Sequence, residues 1–166
     1  MEHIDALVKA GYRVASGTSI KDPRFNKDGG TIRLQIPEFR KRGLDFDAYF
    51  GGKADEAYVC GTLGLDITPK SFTIEEPEYH FEDVRWTDKF DKEGEPPFVE
   101  NFYLSKASVV FKAQLYKALL YIPDPKTKPG HFHPPTTIEV IAQPIRNVQY
   151  GSHVTLWYEP KAIKLG

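Results

Sequence analysis

The stretch Gly61-Thr62-Leu63-Gly64-Leu65-Asp66-Ile67 decides how the rest of this chain is read. Strand side chains alternate with a period of two, which puts Leu63, Leu65 and Ile67 on one face and Thr62, Gly64 and Asp66 on the other. The first face reads as core. The second carries a hydroxyl, a position without a side chain and a carboxylate, so a metal ion or the oxygens of a ligand could approach the backbone closely. An edge strand with a wet outer face has the same pattern, and the surrounding sequence has to separate the two readings.

The chain around this strand has 166 residues, enough for a single domain with a core that needs neither disulfides nor a structural metal. Its formal net charge of -1 supplies no global field for nucleic acid or an anionic membrane, so phosphate binding has to come from a local patch. Cys60 is the single cysteine. It cannot form an internal disulfide, suits a reducing cytosol and reads as a small buried apolar residue. No apolar run approaches the roughly 18 to 20 residues that span a bilayer. The N-terminus carries Glu2 and Asp5 where a signal peptide would be basic. The expectation is a cytoplasmic protein with small-molecule partners, no nucleic acid and no membrane.

Taken in order, Ile4, Leu7 and Val8 fall at helical spacing before Gly11, which predicts a short helix over about residues 3 to 10, a cap on the sheet that follows. Tyr12 to Ala15 reads as a strand running into the loop Ser16 to Phe25. There Ser16, Gly17 and Thr18 offer hydroxyls and exposed N–H groups while Lys21 and Arg24 offer cations, a composition that can cradle phosphate oxygens and equally makes a solvated turn. Ile32, Leu34 and Ile36 alternate with Thr31, Arg33 and Gln35, which predicts a strand ended by Pro37. Residues 38 to 50 are open between a short helix and an extended loop. Gly51-Gly52 marks a turn, and Thr68-Pro69-Lys70 ends the central strand.

Residues 72 to 98, with Pro77, Pro96 and Pro97, read as strand and loop without helical period. Two strands follow at Ala107 to Phe111 and Gln114 to Ile122, with a helix over Lys112 to Leu120 as the rival reading. The proline-rich segment Pro123 to Pro135 delivers the chain into the β-branched strand Thr136 to Ala142. Ile145 to Val148 reads as a helical turn and His153 to Tyr158 as a closing strand. The sum is one all-β domain, closed or nearly closed, with short helical pieces: a cap at residues 1 to 11, a barrel over 12 to 158 and a tail at 159 to 166.

Four motifs, in order, resemble the CTP-dependent riboflavin kinases of archaea, which are small cradle-loop β-barrels. They are Val14-Ala15-Ser16-Gly17 through Arg24-Phe25; Gly61-Thr62-Leu63-Gly64-Leu65; Leu120 to Pro123 with Lys126, Lys128 and His131; and Ile138-Glu139-Val140-Ile141-Ala142. The match in order covers most of residues 12 to 158. The resemblance implies phosphoryl transfer from a nucleotide such as CTP to a flavin-like hydroxyl, with a magnesium cofactor. It implies nucleotide contacts at Ser16, Gly17, Thr18, Lys21, Arg24 and Gly61, a metal ligand at Thr62 and a catalytic base at Glu139, with Lys128, His131, His133 and Thr137 as further pocket candidates. The family's second metal ligand is an asparagine, and Gly64 stands there in this chain. Asp66 lies on the same face one period along, about 7 Å from position 64, and is the remaining candidate ligand.

Such a constellation suits phosphoryl transfer, in which an enzyme mostly positions two substrates and neutralises charge. The chain has neither a Walker P-loop nor the protein-kinase glycine loop. Two other readings stay open. One is a barrel that binds a nucleotide or flavin without catalysis, its aromatics stacking on a base or on isoalloxazine. The other is a transition-metal site on His131 and His133, joined by His153 or Glu139, because imidazoles two apart on an extended segment can point the same way.

Overall fold

Six antiparallel strands close into a barrel in the computed structural model, which describes residues 1–9, 31–54, 56–127 and 135–166. The described elements, in chain order, are β1 (Glu2–Lys9), α1 (Thr31–Lys41), α2 (Phe46–Phe50), β2 (Leu63–Asp66), β3 (Phe72–Ile74), β4 (Tyr79–Val84), β5 (Glu100–Phe111), β6 (Gln114–Pro123), β7 (Thr137–Ala142), β8 (His153–Tyr158) and β9 (Ile163–Leu165). Around the barrel the order is β5, β6, β7, β2, β1, β8, and β8 pairs back onto β5 to close it. Closure leaves the barrel strands no free edge. β4 extends the sheet beyond one end of β5, and β3 pairs separately with β9. No helix among the described residues is long and apolar enough to cross a membrane.

Alternation builds the barrel interior. Ile4, Ala6 and Val8 of β1, Leu63 and Leu65 of β2, Ala107 and Val109 of β5, Leu120 of β6, Ile138 and Val140 of β7 and Leu156 of β8 share one buried cluster. A second core lies outside the barrel wall. There Ile32, Ile36 and Phe39 of α1 and Phe46 and Phe50 of α2 cover Phe102 and Leu104 of β5, Leu119 and Tyr121 of β6 and Ile141 of β7. β6 and β7 are therefore buried on both faces where this layer covers them, which explains the unbroken apolar run Leu119-Leu120-Tyr121-Ile122.

Four expectations are corrected by this architecture. Residues 3 to 10 do not form a helical cap: Glu2–Lys9 is a barrel strand held between β2 and β8. The helical reading depended on Leu7, which is 40% exposed, whereas the buried residues Ile4, Ala6 and Val8 follow a period of two. So short a helix is marginal alone, and two flanking ladders decide for the strand.

Thr31 to Ile36 is likewise not a strand ended by Pro37 but the start of α1, with Pro37 inside the helix. Ile32, Gln35, Ile36 and Phe39 are buried at i, i+3, i+4 and i+7, and Leu34, which the alternation had counted as core, is 41% exposed. The third correction is at the C-terminus, where Ile163–Leu165 pairs with β3 instead of trailing as a tail. Ile145 to Val148 also makes no helical turn; it is irregular, with Asn147 at φ 66.

The open segment 38 to 50 resolves into the end of α1 and the short helix α2. Asp45 caps α2 by accepting from Ala48 N–H at 3.1 Å, and Gly51, at φ 81, ends it by donating to the Asp47 carbonyl. The two strands expected at 107 to 122 form one hairpin, β5–β6, and β5 starts earlier, at Glu100. Lys112 and Ala113 turn it with φ of 49 and 63, the doubly left-handed conformation that matches the twist of paired strands.

Candidate functional site

The outer face of β2 and β7 brings together two of the sequence motifs. Gly64 pairs with Glu139 and Asp66 with Thr137 across the antiparallel ladder, so all four residues face the same way. Thr62 Oγ1 donates a hydrogen bond to Glu139 Oε1 at 2.7 Å, joining residues 77 apart in sequence. Both side chains are buried, each with 5% of its surface exposed. A carboxylate so placed needs donors, because burying a charge without them costs several kcal/mol.

A single row of residues crosses this face. Lys9 of β1 is the ladder partner of Gly64, Gly64 of Glu139, Glu139 of Tyr121, and Tyr121 of Leu104. Tyr121 is buried and donates to Gln35 Oε1 of α1 at 2.6 Å. Burial first, and then the negative charges of Glu100 and Glu139, push its phenol well above the usual range. Glu100 is also buried and accepts from Trp86 Nε1 at 3.0 Å. The face therefore carries a buried polar cluster between the barrel and α1, with Glu139 at its β7 end.

Asp66 and Thr137 behave differently from the Thr62–Glu139 pair. Asp66 Oδ1 accepts from both Thr68 N–H, at 2.9 Å, and Thr68 Oγ1, at 2.6 Å, closing a turn that leads into the cis Thr68-Pro69 bond. Those two bonds hold its carboxyl below the usual range, and the Lys9 ammonium adds to the effect. Thr137 is 2% exposed, and its hydroxyl has no hydrogen-bond partner among the described residues. Gly61 donates its N–H to the Val59 carbonyl and borders a cavity of about 10 Å³ with Leu63, Val140 and Ile145, apart from the Thr62–Glu139 contact.

Of the residues singled out in the sequence, Thr62, Glu139, Thr137 and Asp66 thus share one face. Ser16, Gly17, Thr18, Lys21, Arg24, Lys128, His131 and His133 lie outside the described residues, as does the strand expected at Tyr12 to Ala15. Among the described residues no group of three or more His, Cys, Asp or Glu side chains is placed to hold a metal ion. Lys9, Tyr121, Gln35 and Glu100 were not legible as site residues. The alternation Ile4, Ala6, Val8 was the available signal for Lys9, since it puts Lys9 on the outer face.

The donor set on this face fits magnesium in type. A threonine hydroxyl whose hydrogen points to a carboxylate keeps its lone pairs for a cation, and magnesium accepts such oxygens together with water. Asp66, with one oxygen committed to Thr68, is a poorer candidate than its place on the strand suggested. The sequence matches no known family model and no curated protein.

Proposed function

We propose that this protein is a nucleotide-dependent small-molecule kinase similar to the CTP-dependent riboflavin kinases, phosphorylating a flavin-like hydroxyl. The single observation that carries the reading is the 2.7 Å contact between Thr62 and Glu139, because it unites at one place the two motifs to which the resemblance gives the metal ligand and the base. A chance likeness of strand patterns would not require two residues 77 apart to meet.

In this reading Glu139 takes the proton of the acceptor hydroxyl as that oxygen attacks the terminal phosphorus of the nucleotide. The phosphorus–oxygen bond to the nucleoside diphosphate breaks, and the diphosphate leaves with the electron pair. Thr62 orients the carboxylate through its hydrogen bond, and α1 covers the neighbouring positions Tyr121 and Ile141 against water. Magnesium, held at Thr62, would neutralise phosphate charge.

The test is incubation of the purified protein with riboflavin, magnesium and CTP, then ATP, with detection of FMN. FMN formation that falls roughly 10²-fold or more in Glu139→Gln supports the reading. Binding of flavin or nucleotide without any FMN from either donor overturns it in favour of the second reading, a non-catalytic nucleotide- or flavin-binding barrel. That alternative is favoured by Gly64 in the place of a metal ligand and by the commitment of Asp66 to Thr68. A cytoplasmic location belongs with either reading.

A further inference from the structure

Tyr158 ends β8 with its ring in the barrel core and only 3% of its surface exposed. Its hydroxyl donates to Glu2 Oε2 at 3.2 Å, so the last residue of β8 fixes the carboxylate of the first residue of β1. Both residues line an open groove of about 530 Å³, at the end of the barrel against which β3 and β9 pack. Volumes of roughly 300–1,000 Å³ are those of small-molecule sites. Glu2 and Lys9 stand at opposite ends of β1, about 23 Å apart, so the groove is remote from Thr62 and Glu139. Both signs of charge line it. Glu75 and Glu76, just past β3, add two carboxylates, while Lys161, in the turn after β8, and Lys164 of β9 bring two ammoniums. The backbone ties the acidic segment to the basic one, because Glu75 N–H donates to the Ala162 carbonyl at 3.0 Å and Glu76 N–H to the Lys161 carbonyl at 2.7 Å. Among the described residues no ion pair joins these carboxylates to either lysine. Surface pairs contribute little in themselves, and their separation here leaves both signs available to a third body.

We infer that this groove binds a zwitterion with an apolar body, of the size of a dipeptide: Glu2, held by Tyr158, takes the ammonium group, and Lys161 and Lys164 take the carboxylate. The charge balance selects that class. A plain anion meets three carboxylates and a polyamine meets two lysines, whereas a molecule with one charge of each sign pairs with both sets. Ile163 and Leu165 line the same concavity and offer its body an apolar surface. Glu2 is favoured over Glu75 and Glu76 as the anchor, because a carboxylate already bonded by a buried phenol loses less freedom on binding. The site does not depend on the kinase reading.

The experiment is NMR titration of the isotope-labelled full chain with leucyl-leucine and with its two blocked forms, N-acetyl-leucyl-leucine and leucyl-leucine amide. The panel is the natural sequence, Glu2→Gln, Tyr158→Phe and the double variant Lys161→Met with Lys164→Met, each checked for folding by circular dichroism. In the natural sequence the free dipeptide is expected to give saturable shifts at the groove residues, and each blocked form to bind roughly 3- to 10-fold more weakly. Glu2→Gln should bind the free and N-acetylated forms alike while still preferring the free carboxylate over the amide, and the lysine double variant should do the reverse. Tyr158→Phe should lose part of the preference for a free ammonium. Should Tyr158→Phe not fold, Glu2→Gln, at an exposed position, carries that arm alone. Equal affinity for all three forms in the natural sequence overturns the inference, as does the lack of any saturable shift in the groove at millimolar dipeptide. A charge preference that survives both Glu2→Gln and the lysine double variant overturns it too. None of these outcomes involves FMN, so the kinase reading stands or falls separately.

Discussion

Thr62 on the lead into β2 and Glu139 on β7 are held 2.7 Å apart, hydroxyl to carboxylate, within a surface that excludes most water. Hydrogen bonds to a buried charged group are among the stronger ones, each contributing about 1.5–3 kcal/mol. Thr62→Val keeps the shape and removes this donor, so it is expected to destabilise the protein by about that amount. Glu139→Gln retains an oxygen that can accept from Thr62, and its cost should be smaller. Urea unfolding of the two variants checks the order, and an equal or larger loss in Glu139→Gln would mean that the pair is not held as described.

Alkaline pH should unfold the protein cooperatively. Burial is the leading cause that raises the phenols of Tyr49, Tyr58, Tyr103, Tyr121 and Tyr158 above 10.0, with Asp47 adding at Tyr58 and Glu2 at Tyr158. A folded value above the unfolded one gives stability that is complete below about pH 10 and is lost as pH rises through the folded values. An absorbance titration of tyrosinate should therefore show these groups ionising late and together with loss of circular dichroism. Early, independent ionisation would contradict the burial.

At the acid end the informative carboxyl is Asp91. The Arg85 guanidinium, hydrogen-bonded to both its oxygens, and then the N–H of Phe98 bring it down to about 2. Its contribution is present above the ordinary value of 3.8 and is lost only as pH falls through about 2. Carboxyl titration by NMR should place Asp91 there, and Arg85→Gln should return it most of the way to 3.8. An unchanged midpoint in the variant would remove Arg85 as the cause.

The second core can be tested at Phe39, which is fully buried with its ring centroid 5.1 to 6.1 Å from those of Phe46, Phe81 and Phe102. Phe39→Ala is expected to cost about 3–5 kcal/mol and to loosen α1 from the barrel wall. Leu34→Ala, on the exposed side of the same helix, should stay within about 0.5 kcal/mol. Comparable losses at both positions would restore the strand reading of this segment.

What the sequence determined by itself was the strand character wherever both neighbours and period agreed. Gly61 to Ile67, Thr136 to Ala142 and His153 to Tyr158 alternate or are β-branched, end at glycine or proline, and lie where expected. Short segments with two admissible periods were decided only by the tertiary structure. Ile4-Leu7-Val8 fits a helix and Ile32-Leu34-Ile36 fits a strand, and each took the opposite form because partners distant in sequence covered a different set of side chains. The site divides in the same way. Thr62 and Glu139 were legible from motif order, whereas Lys9, Tyr121 and Gln35 owe their places to ladder register and to the packing of α1 on β6. Register is a property of two strands at once, and no local pattern in either strand contains it.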